Sequence, residues 1–150
     1  MKKVLILDLD GVLITTPPWK SDTIHIDGYS DFNQNCVSNL NKLLEYADFE
    51  IWLSSTRRLR KTLSEFNQIF RNRKIQKEIP GFLPVYENCK NRREEVQRFL
   101  YDYKVNDFII LDDDKSLNSL KDEVKQKLIL TELTIGFNSE KLKKALAKLK

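Results

Sequence analysis

One histidine, two cysteines, four glycines and four prolines in 150 residues exclude several kinds of protein at once. His25, Cys36 and Cys89 fall in no CxxC or paired-histidine spacing, so a zinc site is not expected and both thiols read as reduced and unreactive. Sparse glycine and proline beside 41% hydrophobic residues exclude a low-complexity or disordered chain. Charge of neither sign dominates, with 26 Lys and Arg beside 22 Asp and Glu. The net charge is +4 and the sequence pI about 9.0, a mild bias toward anionic partners that does not by itself indicate nucleic acid. No apolar run is long enough to span a bilayer. Met1-Lys2-Lys3 and the apolar residues after it superficially suggest a leader, but Asp8 and Asp10 interrupt them and no small-residue cleavage site follows. The expectation is a soluble cytoplasmic protein without membrane contact, folded as a single domain over 1–150.

What is present is an alternation of short apolar runs and amphipathic stretches. Val4–Leu7, Phe49–Leu53, Phe108–Leu111 and Leu128–Leu130 have the pattern of strands covered on both faces. Helical spacing runs from Asn33 to Ala47, from Arg57 to about Arg73, from Arg92 to Tyr101 and from Ser139 to the end, with a polar helix expected after Asp114. Thr15–Trp19, which contains Pro17-Pro18, is irregular, and Thr23–Ile26 before Asp27-Gly28 suits a small hairpin. Lys74–Asn91 reads mostly as loop. Strand–helix alternation predicts a parallel sheet with helices on both faces, its strands ending along one edge.

Three strands finish in polar groups: Asp8-Leu9-Asp10, Ser54-Ser55-Thr56 and Asp112-Asp113-Asp114. Carboxylates brought to one edge repel unless a cation or protons offset them, and oxygen-only ligands suit Mg²⁺. The turn at Gly11 lets Asp8 and Asp10 diverge, one to attack phosphorus and the other to handle a proton. A hydroxyl at Ser54 and a cation from the Lys90–Arg93 region would complete a cradle for a phosphoryl group.

These residues resemble the motifs of the haloacid dehalogenase (HAD) superfamily of phosphatases. Asp8-Leu9-Asp10-Gly11-Val12 is similar to the first motif, Ser54 after an apolar strand to the second, and Asp112-Asp113 to the fourth. Lys90, Arg92 and Arg93 each qualify for the third-motif cation. Ser54-Ser55-Thr56-Arg57, Arg92-Arg93-Glu94-Glu95-Val96, Leu111-Asp112-Asp113-Asp114, Leu130-Thr131 and Gly136-Phe137 further resemble a subgroup of small HAD domains, some associated with RNA repair. The resemblance implies a three-layer α/β sandwich of HAD Rossmann-like type, with segments after Gly11 and after Arg73 too short for a full cap domain. It implies Asp8 as nucleophile and magnesium ligand, and Asp10 as general acid/base and ligand through its carbonyl. Ser54, or Ser55, would bind phosphate with Lys90 or Arg92, and Asp113, or Asp112 beside it, would complete the metal site. The expected activity is a Mg²⁺-dependent phosphomonoesterase working through an aspartyl-phosphate, with a polynucleotide or nucleotide phosphate as substrate.

Plainer readings stand beside these. Asp before Gly is common turn chemistry, and Ser54 or Ser55 could cap the helix that follows. Arg57, Arg58, Arg60 and Lys61 read better as the exposed face of a helix than as a phosphate track. Trp19 and His25 read as packed or exposed rather than substrate-binding. A metal-dependent nuclease would leave Ser54 and the third-motif cation without roles. A phosphoacceptor signalling domain would carry its acceptor on a middle strand, where the sequence instead suggests serines. A catalytically silent HAD-like interaction domain is the remaining alternative.

Overall fold

The computed structural model describes residues 2–150. Among the described residues five strands form one sheet in the order β3-β2-β1-β4-β5, every pair parallel. They are β1 (Lys3–Leu7), β2 (Phe49–Leu53), β3 (Gly81–Phe82), β4 (Phe108–Asp112) and β5 (Leu128–Leu130). Between and after them run α1 (Gln34–Tyr46), α2 (Leu63–Asn72), α3 (Arg92–Asp102), α4 (Asp122–Lys125) and α5 (Ser139–Ala147).

Alternation along the strands separates two cores. Leu5 and Leu7 of β1, with Ile51, Leu53, Ile109 and Leu111, face Leu40 and Leu43 of α1, Phe66 and Phe70 of α2, and Leu142 and Ala145 of α5. Ile6 and Ile110 face the other way, against Val96, Phe99 and Leu100 of α3 and Leu117 and Leu120 beyond β4. The result is the expected three-layer α/β sandwich. Residues 11–33 contribute two isolated bridges, Ile14 with Asp10 and Ile24 with Ser30, and residues 73–91 contribute only β3. Neither adds a folded layer over the sheet edge.

Three expectations need correction. The helix predicted from Arg57 to Arg73 is two pieces: a 3₁₀ turn at Thr56–Leu59, then α2. Thr62 divides them with a capping box, its hydroxyl accepting from Glu65 N while Glu65 accepts from Thr62 N. Leu59 consequently leaves the apolar face and is 61% exposed. The polar helix expected after Asp114 is likewise split, into a 3₁₀ turn at Lys115–Ser119 and the short α4. The central strand is β1, which leads to Asp8, and not the serine-tipped β2. The middle-strand argument against a signalling domain therefore does not hold.

The strand order places a topological switch point at β1. The chain leaves β1 for β2 on one side and later returns to β4 on the other, which opens a crevice beyond the C-terminal end of β1. No helix among the described residues is long and apolar enough to cross a membrane.

Candidate active site

Register alone assembles the centre of the site. Leu7 is paired with Leu53 on one side and Leu111 on the other, so the next residue of each strand, Asp8, Ser54 and Asp112, arrives at one level. Backbone bonds from Asp8 N to Leu111 O (3.0 Å) and from Ser54 N to Leu7 O (2.8 Å) hold that level.

Asp8, Asp112 and Asp113 can each present a carboxylate oxygen within 4.8 Å of the other two. Asp8 is 5% exposed and Asp112 is fully buried. Burial first, then repulsion from Asp112, pushes the Asp8 carboxyl well above the usual carboxylate range, with Arg92 opposing. Burial and Asp112 raise Asp113 as well. The triad thus has more negative charge than its surroundings neutralise, and all its ligand atoms are oxygens. That donor set fits a hard divalent cation.

Gly11 makes the triad sterically possible. Its φ is +79°, and a Cβ there would overlap the Asp113 carboxylate. The Thr131 hydroxyl donates to Gly11 O at 2.6 Å, and Phe137 N donates to Val12 O at 2.9 Å. The C-terminal residues noted in the sequence therefore brace the loop after β1. Gly136 is needed for the second brace, because at φ +71° its Cβ would meet Val12 O and Thr15 Cγ2 at 2.7 Å.

Arg92, at the start of α3, supplies the buried cation. Its Nη1 donates to Asp112 Oδ2 at 2.6 Å and lies 3.7 Å from Asp8 Oδ2 and 3.5 Å from Ser54 Oγ. Burial opposes its charge, but Asp112 and Asp8 more than offset this and hold it protonated. Lys90 is exposed, and Arg93 is half-buried with its backbone N–H on Ser116 Oγ. Of the three cations considered, Arg92 is the one brought to the carboxylates. The serines divide similarly: Ser55 Oγ accepts from Arg57 N and caps the 3₁₀ turn, whereas Ser54 Oγ faces Arg92.

Asp10 stands apart from the triad at the rim, its side chain 43% exposed. Arg57 takes both its oxygens and also donates to Asp22 Oδ2, Tyr29 Oη and Ser30 Oγ. These bonds, led by the one to Asp10, lift the Arg57 pKa above its ordinary value. Arg58 is buried under the serine loop. The exposed-face reading therefore fails for Arg57 and Arg58, while Arg60 is exposed and Lys61 half-buried. The capping box at Thr62–Glu65 was the available signal, since it ends the preceding segment before a continuous helical face can form. Trp19 is 78% exposed, and His25 accepts from Asp27 N within the hairpin.

No curated protein matches the chain. The family described as "HAD domain in Swiss Army Knife RNA repair proteins" matches residues 4–142. With that match spanning nearly the whole sequence and a fold to suit, the chain belongs to this family of HAD domains.

Proposed function

We propose that the protein is a Mg²⁺-dependent phosphomonoesterase that uses Asp8 as nucleophile and forms an aspartyl-phosphate. The observation that carries this reading is the meeting of Asp8, Ser54 Oγ and the Arg92 guanidinium beside a carboxylate triad. A carboxylate nucleophile, a hydroxyl and a cation converge where one phosphoryl group would fit.

Asp8, Asp112 and Asp113, with the backbone carbonyl of Asp10, would hold Mg²⁺, which when bound neutralises charge on the transferring oxygens. HAD domains typically use a divalent metal. An oxygen of Asp8 attacks phosphorus as the bond to the leaving oxygen breaks. Asp10 delivers a proton to that oxygen, and the alcohol departs. Asp10 then takes a proton from water attacking the acyl phosphate, releasing inorganic phosphate and restoring Asp8. Both oxygens of Asp10 already accept from Arg57, but each keeps a lone pair for the transferred proton. Arg92 and Ser54 orient the phosphoryl oxygens.

The substrate we propose is a phosphate carried by a polynucleotide or nucleotide. Support comes from the family's link to RNA repair, the absence of a folded layer over the edge among the described residues, and a net charge of +4. The test is phosphate release from p-nitrophenyl phosphate and from 3′- and 5′-phosphorylated oligonucleotides, with Mg²⁺ or EDTA, for wild type and Asp8→Asn. Metal-dependent release lost in Asp8→Asn is expected, with preference for the oligonucleotides. Release that survives Asp8→Asn would overturn the mechanism, and a wild type inactive on every substrate would favour a silent interaction domain.

A further inference from the structure

Arg58 follows the serine loop by three residues and its side chain is only 3% exposed. All five of its N–H groups have acceptors. Nε donates to Leu83 O (2.8 Å), and Nη1 donates to Ser54 O (2.8 Å) and Ser55 O (3.1 Å). Nη2 donates to Pro84 O (3.4 Å) and to Glu95 Oε2 (2.9 Å). Four of these acceptors are neutral carbonyls, so Glu95 supplies the countercharge that a buried guanidinium requires.

Glu95 stands one helical turn beyond Arg92 on the same face of α3. Its second oxygen, Oε1, lies 3.4 Å from Arg92 Nε, an N–H with no hydrogen-bond partner among the described residues. The two sides of the Arg92 guanidinium are thus divided. Nη1 points to Asp112, Asp8 and Ser54, while Nε faces Glu95. Both Glu95 oxygens face arginines, and Glu95 is not one of the carboxylates that gather with Asp8, Asp112 and Asp113. It spans the gap between the arginine that fixes the Ser54–Ser55 backbone and the arginine that faces the carboxylates.

We propose that Glu95 is a positioning residue that couples the serine loop to the Arg92 guanidinium, so that Ser54 and Arg92 hold a phosphoryl group as one unit. The proposal rests on the phosphatase reading. Removing the Glu95 charge leaves the Nε side of Arg92 without its counterpart at 3.4 Å, so the guanidinium is free to pivot about its 2.6 Å bond to Asp112 and away from Ser54. Displacement of that kind raises the barrier to transfer more than it weakens ground-state binding.

The experiment compares wild type, Glu95→Gln, Glu95→Asp, Arg92→Lys and both double variants on p-nitrophenyl phosphate with Mg²⁺. Melting temperatures are recorded alongside, and Asp8→Asn serves as control. Glu95→Gln is expected to lower kcat by about 10–100-fold, the usual range for a residue that orients a site ligand. KM should move by less than about threefold, and Glu95→Asp should recover part of the loss. In the Arg92→Lys background both Glu95 substitutions should have little further effect, because Glu95 acts through Arg92. A lowered melting temperature with kcat unchanged, or losses that add fully in the double variants, would overturn the proposal. Should Glu95→Gln not fold, the Glu95→Asp cycle with Arg92→Lys decides by the same criterion. A wild type without metal-dependent, Asp8-dependent release would remove the phosphatase reading and this inference with it. The Asp8→Asn control distinguishes that outcome from failure of the Glu95 proposal alone.

Discussion

Arg57 holds Asp10 by both carboxylate oxygens, Nε to Oδ2 at 2.8 Å and Nη2 to Oδ1 at 2.9 Å. Its remaining donors reach Asp22, Tyr29 and Ser30, so one guanidinium fixes the loop after β1 to the 15–33 insert. Lysine keeps the charge but cannot form the fork. Arg57→Lys is therefore expected to lower kcat by about 10²-fold, the lower end of what a positioned proton donor supplies. Steady-state kinetics on p-nitrophenyl phosphate would show it, and an unchanged kcat would detach Asp10 from the chemistry.

Asp8 is a buried carboxylate pushed against Asp112 and Asp113, which costs stability while all three are ionised. Asp8→Asn should raise the melting temperature in EDTA while abolishing turnover. Wild type should gain about 1.4 kcal/mol at a Mg²⁺ concentration tenfold above Kd, and the variant much less. Calorimetry with and without Mg²⁺ checks both. A destabilised variant would mean that the Asp8 charge is satisfied by the protein alone.

At Gly11 a methyl group meets Asp113 Oδ2, and the backbone has positive φ. Gly11→Ala should cost about 1–2 kcal/mol from the backbone conformation alone, and it should displace Asp113. The expected signature is a lower melting temperature together with a weakened Mg²⁺-induced rise. Retention of the full rise would show that Asp113 is dispensable for the metal.

Asp27 closes the hairpin onto Arg73, whose side chain is fully buried, through bonds of 2.6 and 3.1 Å. Those bonds, with help from Asn72, hold the Asp27 carboxyl well below the usual range. A depressed folded-state pKa stabilises the protein above the unfolded value, about 3.9, and that contribution is lost as pH falls from there through the folded value. Asp27→Asn should cost about 2 kcal/mol at pH 7 and progressively less toward pH 2. Urea melts from pH 7 to pH 2 would show the two curves converging, and parallel curves would exclude the linkage.

The Asp8-Leu9-Asp10-Gly11 turn and the acidic end of β4 were legible because they are contiguous runs whose chemistry does not depend on distant partners. The four longer strands were legible as apolar runs, but β3 was not. It has two residues, Gly81 and Phe82, and exists only because β2 offers an edge for it to pair with. Arg57 and Arg58 misled for a different reason. Burying a guanidinium is favourable only where carboxylates and carbonyls surround it, and those acceptors come from Asp10, the insert, the loop after β3 and α3.

The layered parallel architecture, the edge at which polar groups gather and the residue types gathered there follow from the order of residues along the chain. Periodicity and short motifs encode these locally, within a few residues of chain. Folding settles the rest: Arg92 rather than Lys90 meets the carboxylates, Ser54 faces inward while Ser55 caps, and Arg57 holds Asp10. Each of those choices depends on strand register and on which distant group satisfies a buried charge, and a linear pattern carries neither.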